Sequence, residues 1–533
     1  MPTASLSRVI LKYHLLFLLS GALLLGLTVI FPQLGILSWI ALIPSMAVIL
    51  IRLPDPSIRL RKLWGTGFLF FFAYYLVNFH WFLYMYPLDF TGMSKPVALL
   101  VVAIAWFGLS AFQALGAAFV FLLTGLALRS EFISKKPLLH PVIFASLWVA
   151  WEWFQANSGW SGVPWARVCL SQASFLPSLQ SAAWFGSYFV SFLIILVGGL
   201  LAYVLLYADK RKLAVILAAS LFLGNLGAGI IRMLTFDHGD TRVSIAVIQG
   251  NLSSREKWGD NATEHALTVY GDYTREAAEA GAEIVIWPET AIPVNVDTHS
   301  YTGTRISRIA ESCGVTVLAG VFTDHPETGE DYNSIVVYLP NGQRSETVFN
   351  KRNLVPFGEF VPFRELVMTV IPPLAEIGML DRDLLAGEDS YVFDLDQASI
   401  GSLICFDSIY ETNALDSVRN GAELLAVSTN DSWFKDSRGV WMHNAQSQLR
   451  AIETGRWVVR SANTGVSSVI SAVGRVEDKL DALQAGYVLA DVTLQNQRTL
   501  YSHIGNLFPI LCLTFGGMCV LLVPAEKMMQ KKR

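Results

Sequence analysis

Three reactive side chains each follow an apolar run that is typical of a buried β-strand. Cys405 ends the run that begins at Ile400, Glu289 follows the run that begins at Ile284, and Lys351 follows a third such segment. A thiol becomes a good nucleophile when a base removes its proton and a cation stabilises the thiolate and the later oxyanion. Glu289 and Lys351 could do these jobs for Cys405. The alternative is a structural cysteine, because free Cys is among the most buried residue types.

The local pattern also predicts how the cysteine is presented. The polar residues after Phe406 indicate a turn, so Cys405 should lie at a corner between a strand and a helix, with its sulfur pointing outward. Such a corner favours attack on a substrate.

The order of three motifs resembles the nitrilase, or carbon–nitrogen hydrolase, superfamily, whose triad is Glu-Lys-Cys. Further motifs are similar to its membrane branch, the apolipoprotein N-acyltransferase family, and this resemblance extends over essentially the whole chain. It implies that Glu289, Lys351 and Cys405 are catalytic. The matching runs are Trp287-Pro288-Glu289, Lys351-Arg352-Asn353-Leu354-Val355-Pro356-Phe357-Gly358-Glu359, Cys405, Val247-Ile248-Gln249-Gly250-Asn251 with Lys257-Trp258, Thr429-Asn430-Asp431-Ser432-Trp433-Phe434, and Arg460-Ser461-Ala462-Asn463-Thr464-Gly465.

The resemblance suggests four supporting or substrate-binding residues. Glu359 matches a second glutamate that assists the triad, although a surface or capping Glu is the alternative. Phe406 and Asp407 stand where the family commonly has Tyr-Glu, and a packing residue and a helix N-cap are equally good alternatives. Trp258 is expected to line a lipid entrance, unless it is simply an interfacial tryptophan.

Composition indicates a membrane protein without a metal or cofactor. The 533 residues are 53% hydrophobic and only 15% charged, against about 25% charged in soluble domains. The net charge of −4 indicates no nucleic-acid surface. The five cysteines form no CxxC and the nine histidines no HExxH, so we expect neither disulfides nor a metal site.

Apolar runs predict about eight membrane-spanning helices, with both chain ends in the cytoplasm. Lys and Arg cluster in alternate loops, and the positive-inside rule then places the long polar segment after the seventh span outside the cytoplasm. The predicted spans are about 15–31, 34–51, 64–86, 97–128, 140–157, 180–207, 212–232 and 505–524.

The polar segment alternates strand and helix patterns, which predicts one α/β domain. The family resemblance implies a four-layer αββα sandwich of the nitrilase type. We therefore expect seven spans in 1–236, an extracytoplasmic catalytic domain in 237–502, and an eighth span with a cytoplasmic tail in 503–533.

The triad chemistry and the resemblance together predict an N-acyltransferase of lipoprotein maturation. Its donor should be a phospholipid, typically phosphatidylethanolamine, and its acceptor the α-amino group of the N-terminal S-diacylglyceryl-cysteine of an apolipoprotein. We expect a monomer in the bacterial inner membrane, with the catalytic domain in the periplasm. The alternatives are a membrane-tethered amidase or nitrilase-type hydrolase, a lipid transporter, and an acyltransferase for another amine or alcohol.

Overall fold

The computed structural model describes residues 4–88, 93–259, 261–370 and 383–532. The chain forms two compact units. The first comprises Met1–His80, Ala103–Thr235 and His503–Arg533, and the second comprises Trp81–Val102 and Phe236–Ser502. The segment Trp81–Val102, which lies within the membrane region predicted at 1–236, is therefore grouped with the α/β part of the chain.

Two six-stranded sheets form the framework of the second unit. The first sheet has the order β12-β1-β2-β3-β4-β5, and β1, β2 and β3 in it are parallel. The second has the order β11-β10-β9-β8-β7-β6, with β7, β8 and β9 parallel. The strands are β1 (Arg242–Gln249), β2 (Ile284–Ile286), β3 (Thr316–Asp324), β4 (Asp331–Tyr338), β5 (Arg344–Asn350), β6 (Val392–Asp394), β7 (Ser399–Ile404), β8 (Leu424–Thr429), β9 (Trp457–Ala462), β10 (Ser467–Ile470), β11 (Val476–Leu480) and β12 (Gly486–Thr493).

Alternating side chains of these strands build a four-layer sandwich. Ile245 of β1 belongs to a core that also contains Ile400 of β7, so this core joins the two sheets. Neighbouring Ala246 belongs instead to a core beneath two helices, because successive side chains of a strand point to opposite faces. The helices over the first sheet are Ala262–Glu279 and Ser300–Cys313, and those over the second are Glu411–Arg419 and Arg438–Thr454. The implied αββα arrangement is thus confirmed.

The strand pattern missed β6 and β11 and indicated β5 only as a segment of unspecified bounds before Lys351; all three strands are peripheral. β5, β6 and β11 lie at or near sheet edges and carry polar side chains that are partly exposed. An edge strand needs no continuous apolar run, so its sequence lacks the signal of a buried strand.

The first unit is helical. Among the described residues, five helices are long and apolar enough to cross a membrane, and the bent pair Leu6–Lys12 and His14–Ile30 is a possible sixth. The five are Pro32–Arg52, Lys95–Ala127, Ser187–Leu206, Arg211–Thr235 and Leu507–Gln530.

The other two predicted spans are less apolar helices. The span predicted at 64–86 is the helix Leu60–Asn78 followed by a 3₁₀ turn, His80–Met85. The span predicted at 140–157 is the helix Leu139–Ala156, which carries His140, Glu152 and Gln155. These polar side chains lower its mean hydropathy, although all three are buried within the protein.

Candidate active site

The ends of three strands place the predicted triad. Glu289 follows β2, Lys351 follows β5 directly, and Cys405 follows β7 directly. The two sheets are tied together here, since the hydroxyl of Ser428 in β8 donates a hydrogen bond to the carbonyl of Trp287, at 3.0 Å. Sheet topology therefore brings together residues that are far apart in the sequence.

A buried network connects Lys351 with two glutamates. The Lys351 ammonium donates to Glu289 Oε1 at 2.7 Å and forms an ion pair with Glu359 Oε2 at 2.8 Å. The amide of Asn333, on β4, bridges the same two carboxylates, at 2.9 Å to Glu289 and 2.8 Å to Glu359. The backbone N–H of Asn430 donates to the second oxygen of Glu289 at 2.8 Å. These bonds fix the Glu289 carboxylate through both of its oxygens.

The network controls the protonation of its members. Burial alone would raise the pKa of Glu289, but Lys351, Lys257 and the amide of Asn333 hold it below the ordinary value. Burial alone would lower the pKa of Lys351, and its two glutamate partners instead hold it well above the ordinary value. Both groups are therefore ionised at neutral pH.

Cys405 lies in a strained turn. It begins the 3₁₀ turn Cys405–Ile409 with a φ of 48°, in the left-handed region that non-glycine residues seldom adopt. The residue is half-buried. Burial, followed by the nearby Glu289 carboxylate, raises the pKa of its thiol, and Lys351 acts in the opposite direction. The resting cysteine is consequently a neutral thiol.

Asp407 binds this turn to the loop that follows Lys351. One carboxylate oxygen accepts the N–H of Asn353 at 2.7 Å, and the other accepts the N–H of Ile404 at 3.2 Å and that of Arg352 at 3.4 Å. Asp407 is fully buried. Burial raises the pKa of its carboxyl group to about 7, although Lys351 and the three N–H donors act to lower it. Asp407 thus connects the backbone beside Cys405 with the backbone beside Lys351.

The other supporting residues differ in their environments. The ring of Phe406 packs edge-on against Tyr410, with 5.6 Å between the ring centroids. Trp258 ends the short helix Ser254–Trp258, and its side chain lies outside the described residues. Glu359, by contrast, contacts Lys351 and Asn333 directly.

Several polar residues at the site had no role in the sequence prediction. Lys257 is buried beside Glu289, and Asn333 and Asn430 bind the Glu289 carboxylate. Lys257 and Asn430 do fall within motifs that carry the family resemblance, whereas Asn333 lies in a strand without any such signal. Only the folded chain shows which side chains converge.

A second polar cluster lies next to Cys405. His443 lies 2.8 Å from Asp431 through Nδ1 and 3.2 Å from the carbonyl oxygen of Cys405 through Nε2. Ligand atoms of Cys405, Asp431 and His443 are all within 4.8 Å of one another, a spacing that a metal ion could use. However, Arg460 forms a 2.7 Å ion pair with Asp431 and occupies that carboxylate. We therefore regard the cluster as an internal ion-pair network.

Two family models match this chain, one in its amino-terminal part and one in its α/β part. Residues 244–501 match the carbon–nitrogen hydrolase family model. Residues 21–200 match the model of the apolipoprotein N-acyltransferase N-terminal domain.

Similar proteins are found over nearly the full length. An apolipoprotein N-acyltransferase of Azotobacter vinelandii is 30% identical over 499 residues, covering 91% of this chain and 90% of that protein. One of Geobacter metallireducens is 29% identical over 528 residues, 96% of each chain. Among solved structures, an amidase from Nesterenkonia sp. is 17% identical with a TM-score of 0.38, covering 49% of this chain and 94% of that one.

Proposed function

The chain belongs to the apolipoprotein N-acyltransferase family, and we infer that Glu289, Lys351 and Cys405 carry out the acyl transfer of that family. It is an N-acyltransferase of lipoprotein maturation that works in a membrane. It moves an acyl chain from a phospholipid, through a cysteine thioester, to the α-amino group of the S-diacylglyceryl-cysteine of an apolipoprotein. The observation that supports our assignment of residues is the bonding of Glu289 and Lys351 to each other beside the strained Cys405 turn.

In the first half-reaction, Cys405 attacks the ester carbonyl of the phospholipid. Glu289 accepts the thiol proton as the S–C bond forms, so that no free thiolate accumulates. The tetrahedral intermediate collapses, the ester C–O bond breaks, and the proton passes from Glu289 to the departing alkoxide. The products are a thioester on Cys405 and a lysophospholipid.

Lys351 stabilises the oxyanion of this intermediate. Its ammonium is held by Glu289 and Glu359, so its position is fixed before the substrate arrives. Preorganised donors of this kind contribute several kcal/mol of transition-state stabilisation, because they need not reorient as charge develops. Asn333 keeps the two glutamates in place, and Asp407 keeps the Lys351 loop in register with the Cys405 turn.

In the second half-reaction, the acceptor amine attacks the thioester. Glu289 takes a proton from the attacking nitrogen and returns it to the Cys405 sulfur as the C–S bond breaks. The N–C bond that forms is an amide, so the acyl chain remains on the lipoprotein. We propose phosphatidylethanolamine as the donor and a monomeric enzyme.

The same triad could pass the acyl group to water, as a nitrilase-type hydrolase would. The match of residues 21–200 to the acyltransferase N-terminal domain favours transfer instead. The apolar helices of the first unit also suit a phospholipid donor. Extracting an acyl chain into water costs about 0.8 kcal/mol per CH₂, so an enzyme in the membrane avoids that cost.

We propose eight spans, cytoplasmic chain ends and a periplasmic catalytic unit in the bacterial inner membrane. The eight would be the five apolar helices, the bent pair near the amino terminus, and the helices Leu60–Asn78 and Leu139–Ala156. The last two have 19 and 18 residues, or roughly 28 Å at 1.5 Å per residue, close to the thickness of a hydrocarbon core. The Lys and Arg bias of the loops supports the orientation.

A single-turnover experiment tests the function. Purified enzyme mixed with phospholipid alone should release one lysophospholipid per active site and then stop, with an acyl chain on Cys405 detectable by mass spectrometry. Adding a diacylated lipopeptide should restart turnover. Continuous release without the peptide would identify a hydrolase instead.

Three substitutions test the roles of the triad. Cys405→Ala should form no thioester. Glu289→Gln should slow thiol attack sharply at neutral pH, because a thiol is only a few per cent thiolate there even at an ordinary pKa, and burial raises the pKa of Cys405 further. Lys351→Met should slow both half-reactions, since each passes through an oxyanion.

A further inference from the structure

Lys257 brings a second buried ammonium group to the active site. Lys257 is only 2% exposed, although Glu256 in the same short helix, Ser254–Trp258, and the N-cap residue Ser253 are both exposed. The ammonium donates a hydrogen bond to the backbone carbonyl of Glu289 at 3.2 Å and another to the hydroxyl of Thr290. Lys257 therefore contacts the backbone of the proposed base, whereas Lys351 contacts its carboxylate.

Within the described part of the chain, this buried ammonium bonds to neutral groups only. Among the residues that the structure describes, no carboxylate lies within ion-pair distance of Lys257, and both of its hydrogen-bond partners are neutral oxygens. An ammonium taken out of water without a paired anion is costly to the folded state. A group of this kind is stabilised when negative charge appears nearby.

The surrounding backbone is built to hold the lysine in place. Asn463 binds the segment before the helix, accepting the N–H of Leu252 at 3.1 Å and donating to its carbonyl at 2.8 Å. Thr290, which Lys257 contacts, has a φ of 44°, a conformation that costs a non-glycine residue free energy and persists only when its surroundings impose it. The two hydrogen bonds from Lys257 help to hold Thr290 in this conformation. They also fix the backbone of Glu289, from which the carboxylate side chain extends.

We propose that Lys257 is a second cationic positioning residue of the acyl transfer, which holds the Glu289–Thr290 turn and stabilises the negative charge that develops on Cys405 and its acyl intermediate. The proposal rests on the acyltransferase function inferred above. It adds to that function a group outside the Glu-Lys-Cys triad, and it explains why an ammonium that bonds directly only to neutral oxygens is buried at the site.

The charges that face Lys257 agree with this role. Burial lowers its pKa to about 8, opposed by Glu289 and Cys405 and assisted by Lys351. Lys257 is thus charged at neutral pH and loses its charge a little above it. Because the interaction of two charges is mutual, an ammonium at Lys257 also favours the Cys405 thiolate.

The test compares rates of thioester formation between pH 6 and pH 10 for wild type, Lys257→Met, Lys257→Arg and the exposed-site control Lys479→Met. Wild type should lose activity above about pH 8, as Lys257 deprotonates. Lys257→Met should be about ten- to a hundredfold slower at pH 7, because the Glu289–Thr290 turn loses two hydrogen bonds from a charged donor, and it should lack the alkaline loss. Lys257→Arg should lack the alkaline loss as well, because a guanidinium stays charged throughout this range.

A second measurement separates failure of this proposal from failure of the acyltransferase assignment. Alkylation of Cys405 in the free enzyme by iodoacetamide, followed on the Cys405 peptide, needs no acyl donor. At pH 7.5 the rate should fall severalfold in Lys257→Met and stay unchanged in Lys479→Met. Thermal unfolding in detergent shows whether each variant is folded.

Two results would overturn the proposal. One is a folded Lys257→Met enzyme with wild-type rates of thioester formation and alkylation. The other is a slow Lys257→Met enzyme that keeps the wild-type alkaline loss and wild-type alkylation, which would mean that another group titrates and that the lysine only supports the fold or binds the donor. If wild type forms no thioester, the function itself fails, and the alkylation rates still decide the role of Lys257.

Discussion

Asp407→Asn should slow acyl transfer by loosening the turn that carries the nucleophile. One carboxylate oxygen of Asp407 accepts the N–H of Asn353 at 2.7 Å, and the other accepts the N–H groups of Ile404 and Arg352 at 3.2 and 3.4 Å. An asparagine has one acceptor oxygen and one donor nitrogen in these places. It should keep the oxygen on the short bond to Asn353 and turn its own N–H₂ towards the other two donors.

The hydrogen-bond geometry sets the expected magnitude. The bond from Ile404 is lost at a fully buried site, and a buried donor left without a partner costs about 1–3 kcal/mol. The bond from Arg352 is long at 3.4 Å, so its loss should add little. If about 2 kcal/mol falls on the geometry of the adjacent Cys405 turn, thioester formation slows about thirtyfold.

The assay is single-turnover thioester formation, together with the midpoint of thermal unfolding in detergent. The matched control is Asp416→Asn, because Asp416 pairs with the side chain of the same Arg352, at 3.1 Å, but on a partly exposed surface. Exposed ion pairs contribute about 1 kcal/mol or less. The control should therefore keep its rate and shift its midpoint only slightly.

The role of Asp407 in holding the Cys405 turn is refuted if Asp407→Asn matches the control in both rate and midpoint. It is also refuted if the midpoint falls while the rate stays at the wild-type value, because the lost hydrogen bond would then destabilise the fold without changing the geometry at Cys405.

Three further predictions concern topology, the residue after the nucleophile, and pH. A reporter active only outside the cytoplasm should be active when fused near Gly239 and silent near Arg211, and the reverse would overturn the proposed orientation. Phe406→Tyr should change the rate little, because the ring packs on Tyr410; a gain beyond about tenfold, or 1.4 kcal/mol, would show that the missing hydroxyl matters. Since burial raises the pKa of the Cys405 thiol, its alkylation rate should be low at pH 7 and still rising above pH 9, where an ordinary thiol with a pKa of about 8.5 has levelled off.

The sequence predicted those parts of the site that local pattern controls. The strand before Cys405 was predicted because Ile400, Leu403 and Ile404 give it an apolar pattern, and the structure buries every residue from Ile400 to Ile404. The strand before Lys351 was not delimited, since β5 is an edge strand whose residues Arg344–Asn350 are largely polar and only partly buried. Lys351 itself was identified from its motif, which shows that a motif can locate a residue where strand periodicity cannot.

The sequence pattern did not predict contacts between distant segments of the chain. Asn333 bridges Glu289 and Glu359 from β4, next to the edge strand β5, yet an asparagine in a strand has no signal of its own. Lys257 precedes the Glu289 backbone that it contacts by 32 residues. Such partners are set by the packing of the two sheets, which a single sequence does not specify at the level of individual atoms.

The charges of the site suggest why neither lysine needs to change its protonation during the reaction. Glu289 and Glu359 carry two negative charges in the resting site, and Lys351 and Lys257 balance them. When the thiol proton moves to Glu289, a negative charge moves from the carboxylate to the sulfur and then to the oxyanion, and the net charge stays the same. Both cations are already in position to receive it. Neutralising Glu359 should therefore make the Cys405 thiol more acidic, whereas neutralising Lys257 should make the same thiol less acidic. Two substitutions in one network should thus change the reactivity of Cys405 in opposite directions.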